Sequence, residues 1–353
     1  MPRSFRPGLA VAAVVLALVL SFGALALFGK DPLEAFAAMV RGGFGSASAL
    51  GESLIKAALL TLTALAVALP FCTGLFNIGG QGQMLVGAIA AAFLGHALAL
   101  PASLEIAACL SGAVLAGGAW GLLAGWLQTS RGVHEVISTI LLNWVAMHLI
   151  ENGLVVGPLA ARSADANVSL PGTAVIREAA NLPVLIAGTR LHLGVPIAFA
   201  VALALAWVVA RTTWGFELRT VGASAEAARS AGIPVARRRL QAMWLGAGCA
   251  GLAGALLVLG TEGRYPPHIS TPYGFDGIAV AFIGGSAPLG SAVAALFFGA
   301  IRAGGTRLQL LGIHRDFPEL IQGLALLLVA GRAVLGFLFA RLRRGRDVEA
   351  SRA

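Results

Sequence analysis

The chain has 353 residues, of which 58% are hydrophobic and 12% are charged, and its mean hydropathy is +0.85. Soluble domains carry about 25% charged residues, so this composition excludes a soluble protein and indicates a polytopic membrane protein. The net charge of +9 does not indicate a nucleic-acid partner, because most arginines flank apolar runs instead of forming one basic face. The cysteines have no metal or redox spacing, and we expect them to be small core residues (Cys72, Cys109 and Cys249).

Apolar runs of about 18–25 residues predict membrane-spanning helices, and the chain has about eight full runs of this kind. The first run, Gly8–Phe28, is longer than the apolar part of a secretory signal and precedes further spans, so we expect an uncleaved helix. Lys30–Ser53 is mixed in polarity and is expected at the outer surface. The other full runs follow in chain order (Leu54–Phe71, Met84–Leu100, Leu104–Leu127, Val136–Val156, Leu191–Ala210, Leu240–Leu259 and Phe317–Phe339).

The stretch Gly74–Ala88 interrupts this pattern between the second and third runs. It is rich in glycine and carries Asn77, Gln81 and Gln83 where a continuous membrane helix would hold apolar residues. Backbone outside a helix at membrane depth must be surrounded by protein or a water-filled cavity, because hydrocarbon satisfies no N–H or C=O group. Each carboxamide offers both a donor and an acceptor. The stretch therefore predicts a discontinuous membrane segment whose carboxamides line a passage for a polar solute.

Two predicted helices carry small residues at four-residue spacing, a pattern that allows close approach of helix backbones in membranes. These residues lie in the fourth and seventh runs (Gly117, Gly121 and Gly125; Gly246, Ala250 and Gly254). We interpret both sets as packing faces.

The fifth run is unusually polar, with Glu135, Thr139, Asn143, Met147 and Glu151 recurring every four residues. Polar groups inside a membrane normally face the bundle interior or a cavity. For Asn143, an interhelical hydrogen bond and a place in a pathway wall are both open interpretations. For Glu135 and Glu151 we favour the helix interface, and Thr139 is a further candidate pathway residue.

The arginine distribution sets the expected orientation. Arginines flank the N-terminus, fill the polar loop 211–239 and crowd the tail 340–353, so these segments are predicted to be cytoplasmic. Residues 157–190 then form the largest external loop. This scheme requires that Gly274–Gly304 enters and leaves the membrane at the outer side.

Gly274–Gly304 is apolar but interrupted at Gly284–Gly290, and each half is expected to be too short to cross about 30 Å of hydrocarbon. The interruption and the Ala-rich run after it resemble Gly79–Gln83 and its following run. Transporters are often built from such repeats, with paired broken helices meeting near the midplane, although chance similarity is the alternative in so Gly/Ala-rich a chain. We therefore expect Gly284–Gly290 to lie against Asn77–Gln83, with Ser286 as a pathway residue. The predicted fold is all-α, with about eight to ten transmembrane helices and broken or re-entrant segments.

The loop 211–239 contains a predicted short helix, Ala223–Gly232. Ser224 is placed to cap its N-terminus, Glu226 favours its positive end, and Gly232 with Pro234 stops it. A short, stopped helix between two spans is suited to docking on a partner protein. The alternative is a basic cytoplasmic loop with incidental helicity.

These motifs carry a family resemblance. Glu226-Ala227-Ala228, followed after three residues by Gly232, resembles the EAA loop of ABC importer permeases, which docks on the cytoplasmic ATPase. Phe76–Gln83 resembles the motif of the nucleoside-type branch, which is related to the ribose and branched-chain amino-acid permeases. Glu135–Asn143 and Gly284–Gly290 are also similar to family stretches. The chain departs from the strongest EAA pattern downstream, at Arg237–Arg239.

The resemblance implies a fold like that of type II ABC importers. It implies an importer with a cytoplasmic ABC ATPase, a second, unlike permease subunit and an extracytoplasmic solute-binding protein or lipoprotein in a bacterial inner membrane. The implied solute is a nucleoside, chiefly a purine nucleoside; a simple sugar is the alternative, since the carboxamides suit either. The residues that would line the pathway are polar (Asn77, Gln81, Gln83, Thr139, Asn143 and Ser286). The residues that would couple to the ATPase lie in the short helix or directly before it (Gly222, Glu226, Ala227, Ala228, Ala231 and Gly232).

Two rival classes fit less well. An ion-coupled secondary transporter would need buried carboxylates at the midplane, and Asp276 and Glu151 are the candidates, both near predicted span ends. An enzyme would need a reactive constellation, but Lys30 and Lys56 follow no Gly-rich loop and His134-Glu135 lacks the second histidine of a zinc protease motif. We therefore expect a transporter subunit without its own ATP site, metal or cofactor, surrounded by membrane lipid.

Overall fold

The computed structural model describes residues 7–162, 169–267, 269 and 272–331. The predicted cytoplasmic tail 340–353 and the end of the last predicted span lie outside the described residues. So does a short part of the predicted external loop, 163–168.

The described chain is a bundle of helices with one small β-hairpin. The elements in chain order are α1 (Pro7–Leu27), α2 (Pro32–Phe44), α3 (Ala47–Phe71), α4 (Gly80–Ala97), α5 (Ala102–Arg131), α6 (Glu135–Met147), β1 (Ala160–Arg162), β2 (Ser169–Thr173), α7 (Gly194–Arg211), α8 (Thr213–Ala223), α9 (Ala225–Ser230), α10 (Val235–Leu257), α11 (Tyr273–Ile283), α12 (Pro288–Leu308) and α13 (Phe317–Gly331). The antiparallel strands β1 and β2 lie within the predicted external loop, whose described residues supply no further span.

Five of the described helices are long and apolar enough to cross a membrane (Ala47–Phe71, Ala102–Arg131, Gly194–Arg211, Val235–Glu262 and Pro288–Leu311). Shorter apolar helices accompany them (Val11–Leu27, Tyr273–Ile283 and Phe317–Gly331). One continuous apolar core takes side chains from helices throughout the described residues, from Ala17 of α1 to Val329 of α13. The predicted polytopic all-α fold is confirmed.

Helix α10 packs at the centre, against α3, α4 and α5, and its small residues make these contacts close. A Cβ added at Gly117 of α5 would lie 2.7 Å from the Cα of Gly251, and one at Gly246 would lie 2.9 Å from the carbonyl oxygen of Ala66 in α3. Gly254 likewise meets the carbonyl of Met84 in α4. Both predicted small-residue faces are therefore confirmed as helix-packing surfaces.

The contacts along α3 show how the broken segment runs. Gly277 of α11 approaches Thr63, and the ring of Phe282 lies 5.6 Å from that of Phe71, so α11 runs beside α3 in the same direction. Helix α12 then returns, bringing Gly299 against Ala57. The α11–α12 hairpin therefore begins beside the middle of α3, turns near the end of α3 and returns along its first half.

Two expectations about length and exposure are corrected. Lys30–Ser53 is not simply a surface segment, because α2 packs into α12: a Cβ added at Gly42 would lie 2.9 Å from the Cα of Gly304. Of the two halves of Gly274–Gly304, both predicted to be too short to cross a membrane, only α11 is short. The second half belongs to Pro288–Leu311, which is long enough to cross a membrane. Helix α12 continues through Arg302, whose charge is paired with buried or half-buried carboxylates inside the bundle.

Candidate functional site

The first part of the Gly/Gln stretch forms a break between two helices, as predicted, whereas Gly80–Ala88, with Gln81 and Gln83, belongs to regular helix. Helix α3 ends at Phe71, where the Thr73 hydroxyl donates to the Pro70 carbonyl at 2.7 Å and Gly74 takes a left-handed φ of 78°. Helix α4 starts at Gly80, so the backbone of residues 72–79 lies outside regular helix. The side chains within this break must therefore supply hydrogen bonds that a helix would have made itself.

Asn77 and Gln83 meet this need by pairing with each other. Asn77 Nδ2 donates to Gln83 Oε1 and Gln83 Nε2 donates to Asn77 Oδ1, both at 3.0 Å. Asn77 also donates to the carbonyl of Ala66 in α3 at 2.9 Å and accepts from the N–H of Gly79 at 2.9 Å. Both side chains are almost completely buried. The pair holds the break against α3 and the start of α4.

Helix α6 supports the same backbone from the other side. Asn143 Oδ1 accepts from the N–H of Gly82 at 2.8 Å, and its Nδ2 donates to the carbonyl of Ile78 at 2.9 Å. Thr139 Oγ1 lies 3.3 Å from the N–H of Ile78, for which it is the acceptor, and Glu135 accepts from the N–H of Phe76 at 3.4 Å. Of the two interpretations for Asn143, the structure shows the interhelical hydrogen bond.

Gln81 points to a third partner, α11. Its Oε1 accepts from the N–H of Gly274 at 2.8 Å, in the first turn of that helix. A Cβ added at Gly80 would lie 3.1 Å from the Gly274 carbonyl oxygen, so the two backbones touch. This bond satisfies one of the N–H groups that a helix start leaves open.

Ser286 lies in the second break, between α11 and α12. It is half-buried with a left-handed φ of 54°, and its N–H donates to the Ala281 carbonyl at 2.7 Å. The predicted meeting of the two breaks takes a different form: Gly274, at the start of α11, contacts Gln81, and the rings of Phe282 and Phe76 lie 5.6 Å apart. The structure thus brings five of the six candidate pathway residues together, while Ser286 is positioned by its own break.

The predicted short helix exists as α9, with the predicted Ser224 cap, but it spans Ala225–Ser230 and is shorter than the predicted Ala223–Gly232, since Ala223 ends α8. Ser224 Oγ accepts from the N–H of Ala227 at 3.2 Å, and Gly232 has a φ of 79°, which a residue with a Cβ rarely adopts. Glu226 and Ala227 of α9 are exposed, and so is Ala231, directly after the helix.

The expectation for Ala228 is corrected. This residue is 0% exposed and packs against Val221 of α8 and Val235 of α10. Consecutive residues in a helix point about 100° apart, so Ala227 and Ala228 do not share a face. Ala228 fixes α9 to its own chain, which leaves the exposed residues of α9 and the neighbouring Gly232 as the candidate docking surface.

Gly222, the last candidate coupling residue, joins α8 to the break. A Cβ at Gly222 would clash with the carbonyl oxygen of Cys72, and one at Gly74 would lie 3.8 Å from the Gly222 Cα. The segment predicted to couple therefore touches the backbone that leads into Asn77. Sequence reasoning missed this contact, since a glycine pair far apart in sequence gives no signal of its own.

Sequence reasoning also missed a polar cavity of about 750 Å³ at the opposite end of α3. Its lining includes Glu52 and Lys56 of α3, Arg190 and Tyr273. Arg190 lies 3.5 Å from the Glu52 carboxylate. The four-residue spacing of Glu52 and Lys56 on one helix face was the available signal.

Next to this cavity, on the other side of Tyr273, Arg302 of α12 is the centre of a cluster of charged side chains inside the bundle. It pairs with Asp276 of α11 and, at 3.0 Å, with Glu319 of α13, and its guanidinium lies 5.3 Å from the ring centre of Tyr273. Asp276, one of the two carboxylates considered for ion coupling, is thus committed to an ion pair. The cluster ties α11, α12 and α13 together.

Comparison with known proteins gives a consistent result. The chain is 33% identical over 340 residues to the guanosine ABC transporter permease protein NupP of Bacillus subtilis, covering 95% of this chain and 97% of that protein. It is 32% identical over 365 residues to the glucose ABC transporter permease protein TsgB13 of Haloferax volcanii (99% and 94%). It is 28% identical over 347 residues to the nucleoside ABC transporter permease protein NupB of Lactococcus lactis (97% and 94%). No solved structure matches the chain.

Residues 49–330 match the family described as the permease component of the branched-chain amino acid transport system. This match covers most of the chain and contains the break, α6, α9 and both halves of the α11–α12 hairpin. Permeases of this kind are non-enzymatic subunits that work with an ATPase and a substrate-binding protein. The chain is therefore a multi-pass membrane permease of an ABC transporter and belongs to the branched-chain amino acid transport system permease family.

Proposed function

We propose that this permease carries a nucleoside, chiefly a purine nucleoside, into the cell after an extracytoplasmic binding protein delivers it. The observation that carries the proposal is the similarity, over nearly the full length of both chains, to a guanosine permease. A second relative of nearly full length is a nucleoside permease.

The chemistry of the break supports an uncharged polar solute. The five clustered candidate pathway residues are neutral amides and a hydroxyl (Asn77, Gln81, Gln83, Thr139 and Asn143). Ribose hydroxyls and base edges are both donors and acceptors, as these side chains are. In this proposal the pathway passes along the break and Ser286, and movement of the break exposes amide groups that the resting chain uses internally.

The cavity at the start of α3 suits an entry chamber. Its volume of about 750 Å³ lies within the range of 300–1,000 Å³ usual for small-molecule sites. Tyr273 offers an aromatic ring and Glu52 and Arg190 offer hydrogen-bonding groups at its wall.

The proposed coupling surface is the exposed side of α9, with Glu226, Ala227, Ala231 and Gly232 against the ATPase. Gly222 transmits the contact to the break through Cys72. A second, unlike permease completes the assembly, as the resemblance to the nucleoside branch implies. The protein lies in a bacterial inner membrane with both termini in the cytoplasm.

A sugar is the second candidate, because the glucose permease of Haloferax volcanii is nearly as similar. The experiment is ATP-dependent uptake into proteoliposomes holding the complete transporter and its binding protein. We expect labelled guanosine to accumulate and unlabelled purine nucleosides to compete. Accumulation of labelled glucose without guanosine uptake would reverse the assignment, and uptake driven by a proton gradient without ATP would reject an ABC importer.

A further inference from the structure

A basic groove of about 520 Å³ lies at the end of the bundle that carries α9. It runs between the last turn of α5, α9 and the first turn of α10. Gln128 and Thr129 line one wall, and Arg229, Arg237 and Arg239 line the others. The groove thus gathers three cations from two separate helices.

These arginines lack acidic partners among the described residues. Their neighbour Arg238 pairs with Glu217, whereas Arg229, Arg237 and Arg239 form no ion pair within the described part of the chain. In the described part of the chain, Arg239 Nε is buried without a hydrogen-bond partner. A buried N–H donor without an acceptor is unfavourable, and this donor belongs to a side chain that lines the groove.

A second groove continues from the first at Arg237, which lines both. It has a volume of about 590 Å³ and runs along α5 and α10 past Leu122, Leu240 and Trp244. Seven residues of helix separate Arg237 from Trp244, a rise of about 10 Å. That distance reaches well into one leaflet, whose hydrocarbon is about 15 Å deep.

We propose that the two grooves together hold one anionic phospholipid. Its phosphate lies among Arg229, Arg237 and Arg239, and one acyl chain follows the apolar groove over Leu240 and Trp244. Clustered arginines at the cytoplasmic face attract anionic headgroups, and an adjoining apolar groove on the membrane side suits an acyl chain. An acidic protein segment would use the basic groove but has no need of the apolar one.

The site has a consequence for coupling, because Arg229 belongs to α9. A phosphate bound to Arg229 and to both α10 arginines ties α9 to the membrane-spanning helices. The lipid therefore steadies the docking helix from its membrane side. This inference concerns lipid binding and stands whether the solute is a nucleoside or a sugar.

The test uses the intact transporter complex, stripped of lipid in detergent and titrated with long-chain phosphatidylglycerol or phosphatidylcholine, with bound lipid counted by native mass spectrometry. We expect the wild-type complex to prefer phosphatidylglycerol. The double variant Arg237→Gln/Arg239→Gln should bind it about 30-fold more weakly, taking about 1 kcal/mol for each arginine. Arg211→Gln is the matched control, since Arg211 is exposed at the same end of the bundle but outside both grooves.

Three further outcomes decide the identity of the ligand. Short-chain phosphatidylglycerol should bind more weakly than the long-chain lipid, because it leaves the apolar groove unfilled. Full displacement of the lipid by glycerol phosphate would show a simple anion site and overturn the proposal. Unchanged phosphatidylglycerol binding in the double variant, with loss of the copurifying ATPase, would assign the groove to an acidic protein segment and overturn it as well.

Discussion

The side-chain amides of Asn77 and Gln83 bond to each other in both directions, at 3.0 Å each way, while almost completely buried. The Asn77 amide makes two further hydrogen bonds, donating to the Ala66 carbonyl and accepting from the Gly79 N–H. Two carboxamides thus replace the backbone hydrogen bonds that are lost where the chain leaves α3 and has not yet entered α4. The pair makes a broken helix tolerable at membrane depth.

Gln83→Leu should destabilise the permease by about 1–3 kcal/mol, because it leaves the Asn77 amide buried without its partner. The measurement is the thermal unfolding midpoint of the purified complex in detergent. Gln309→Leu makes the same substitution at an exposed position and should leave the midpoint unchanged. Equal midpoints for the two variants would show that the reciprocal pair contributes nothing to stability.

Gln81→Leu removes the acceptor of the Gly274 N–H and should lower uptake about 5- to 30-fold, the equivalent of about 1–2 kcal/mol. Gln81→Glu keeps an acceptor oxygen beside the start of α11, where negative charge is favourable, and should retain more uptake. Copurification of the ATPase checks that both variants assemble. Normal uptake by well-expressed leucine variants at 77, 81 and 83 would rule out the proposed pathway role.

Asp276→Asn should destabilise the protein by about 3 kcal/mol, because it leaves the Arg302 guanidinium short of one counter-charge inside the bundle. Glu319→Gln should cost less, since that side chain is 40% exposed. The double variant Asp276→Asn/Arg302→Gln should lose less stability than the sum of its single variants. Strict additivity in thermal unfolding would contradict a coupled pair.

Gly222→Ala should weaken the link between ATP hydrolysis and uptake, because its Cβ cannot fit against the Cys72 carbonyl without displacing α8 from the break. The measurement is the amount of solute imported per ATP hydrolysed in proteoliposomes. Gly23→Ala is the control, since a Cβ at Gly23 meets nothing within 4 Å. An unchanged ratio in Gly222→Ala would show that this contact transmits nothing.

Ala231→Trp and Ala228→Trp should fail in different ways. Ala231 is exposed, so a tryptophan there should block ATPase copurification and leave thermal stability unchanged. Ala228 is enclosed by Val221 and Val235, so a tryptophan there should cost about 1–3 kcal/mol of stability by overpacking. Full ATPase copurification with Ala231→Trp would end the docking assignment for this face.

Particular residues show how far sequence reasoning reached. The sequence predicts a helix break within Gly74–Ala88 and the Ser224 cap and Gly232 turn of α9, because these features depend on local backbone chemistry. The break itself is shorter than predicted, since Gly80–Ala88 is helical. The small-residue faces on α5 and α10 were predicted for the same reason, since helical spacing alone places them on one side. The prediction that Ala228 docks on the ATPase was wrong, because the face that a short helix buries depends on neighbours from other parts of the chain.

The sequence by itself determined the apolar spans, their interruptions and the positions of carboxamides at membrane depth, because an unpaired polar group in hydrocarbon is energetically unfavourable wherever it occurs. Only the tertiary structure decided which groups would satisfy them. Asn77 pairs with Gln83, Gln81 reaches Gly274 and Asn143 reaches Gly82, and these choices follow from packing of helices distant in sequence. The Arg302 cluster also depends on packing. Hydropathy shows that burying the charges of Asp276 and Arg302 is unfavourable, but only the packing of α11 against α12 and α13 pairs these charges.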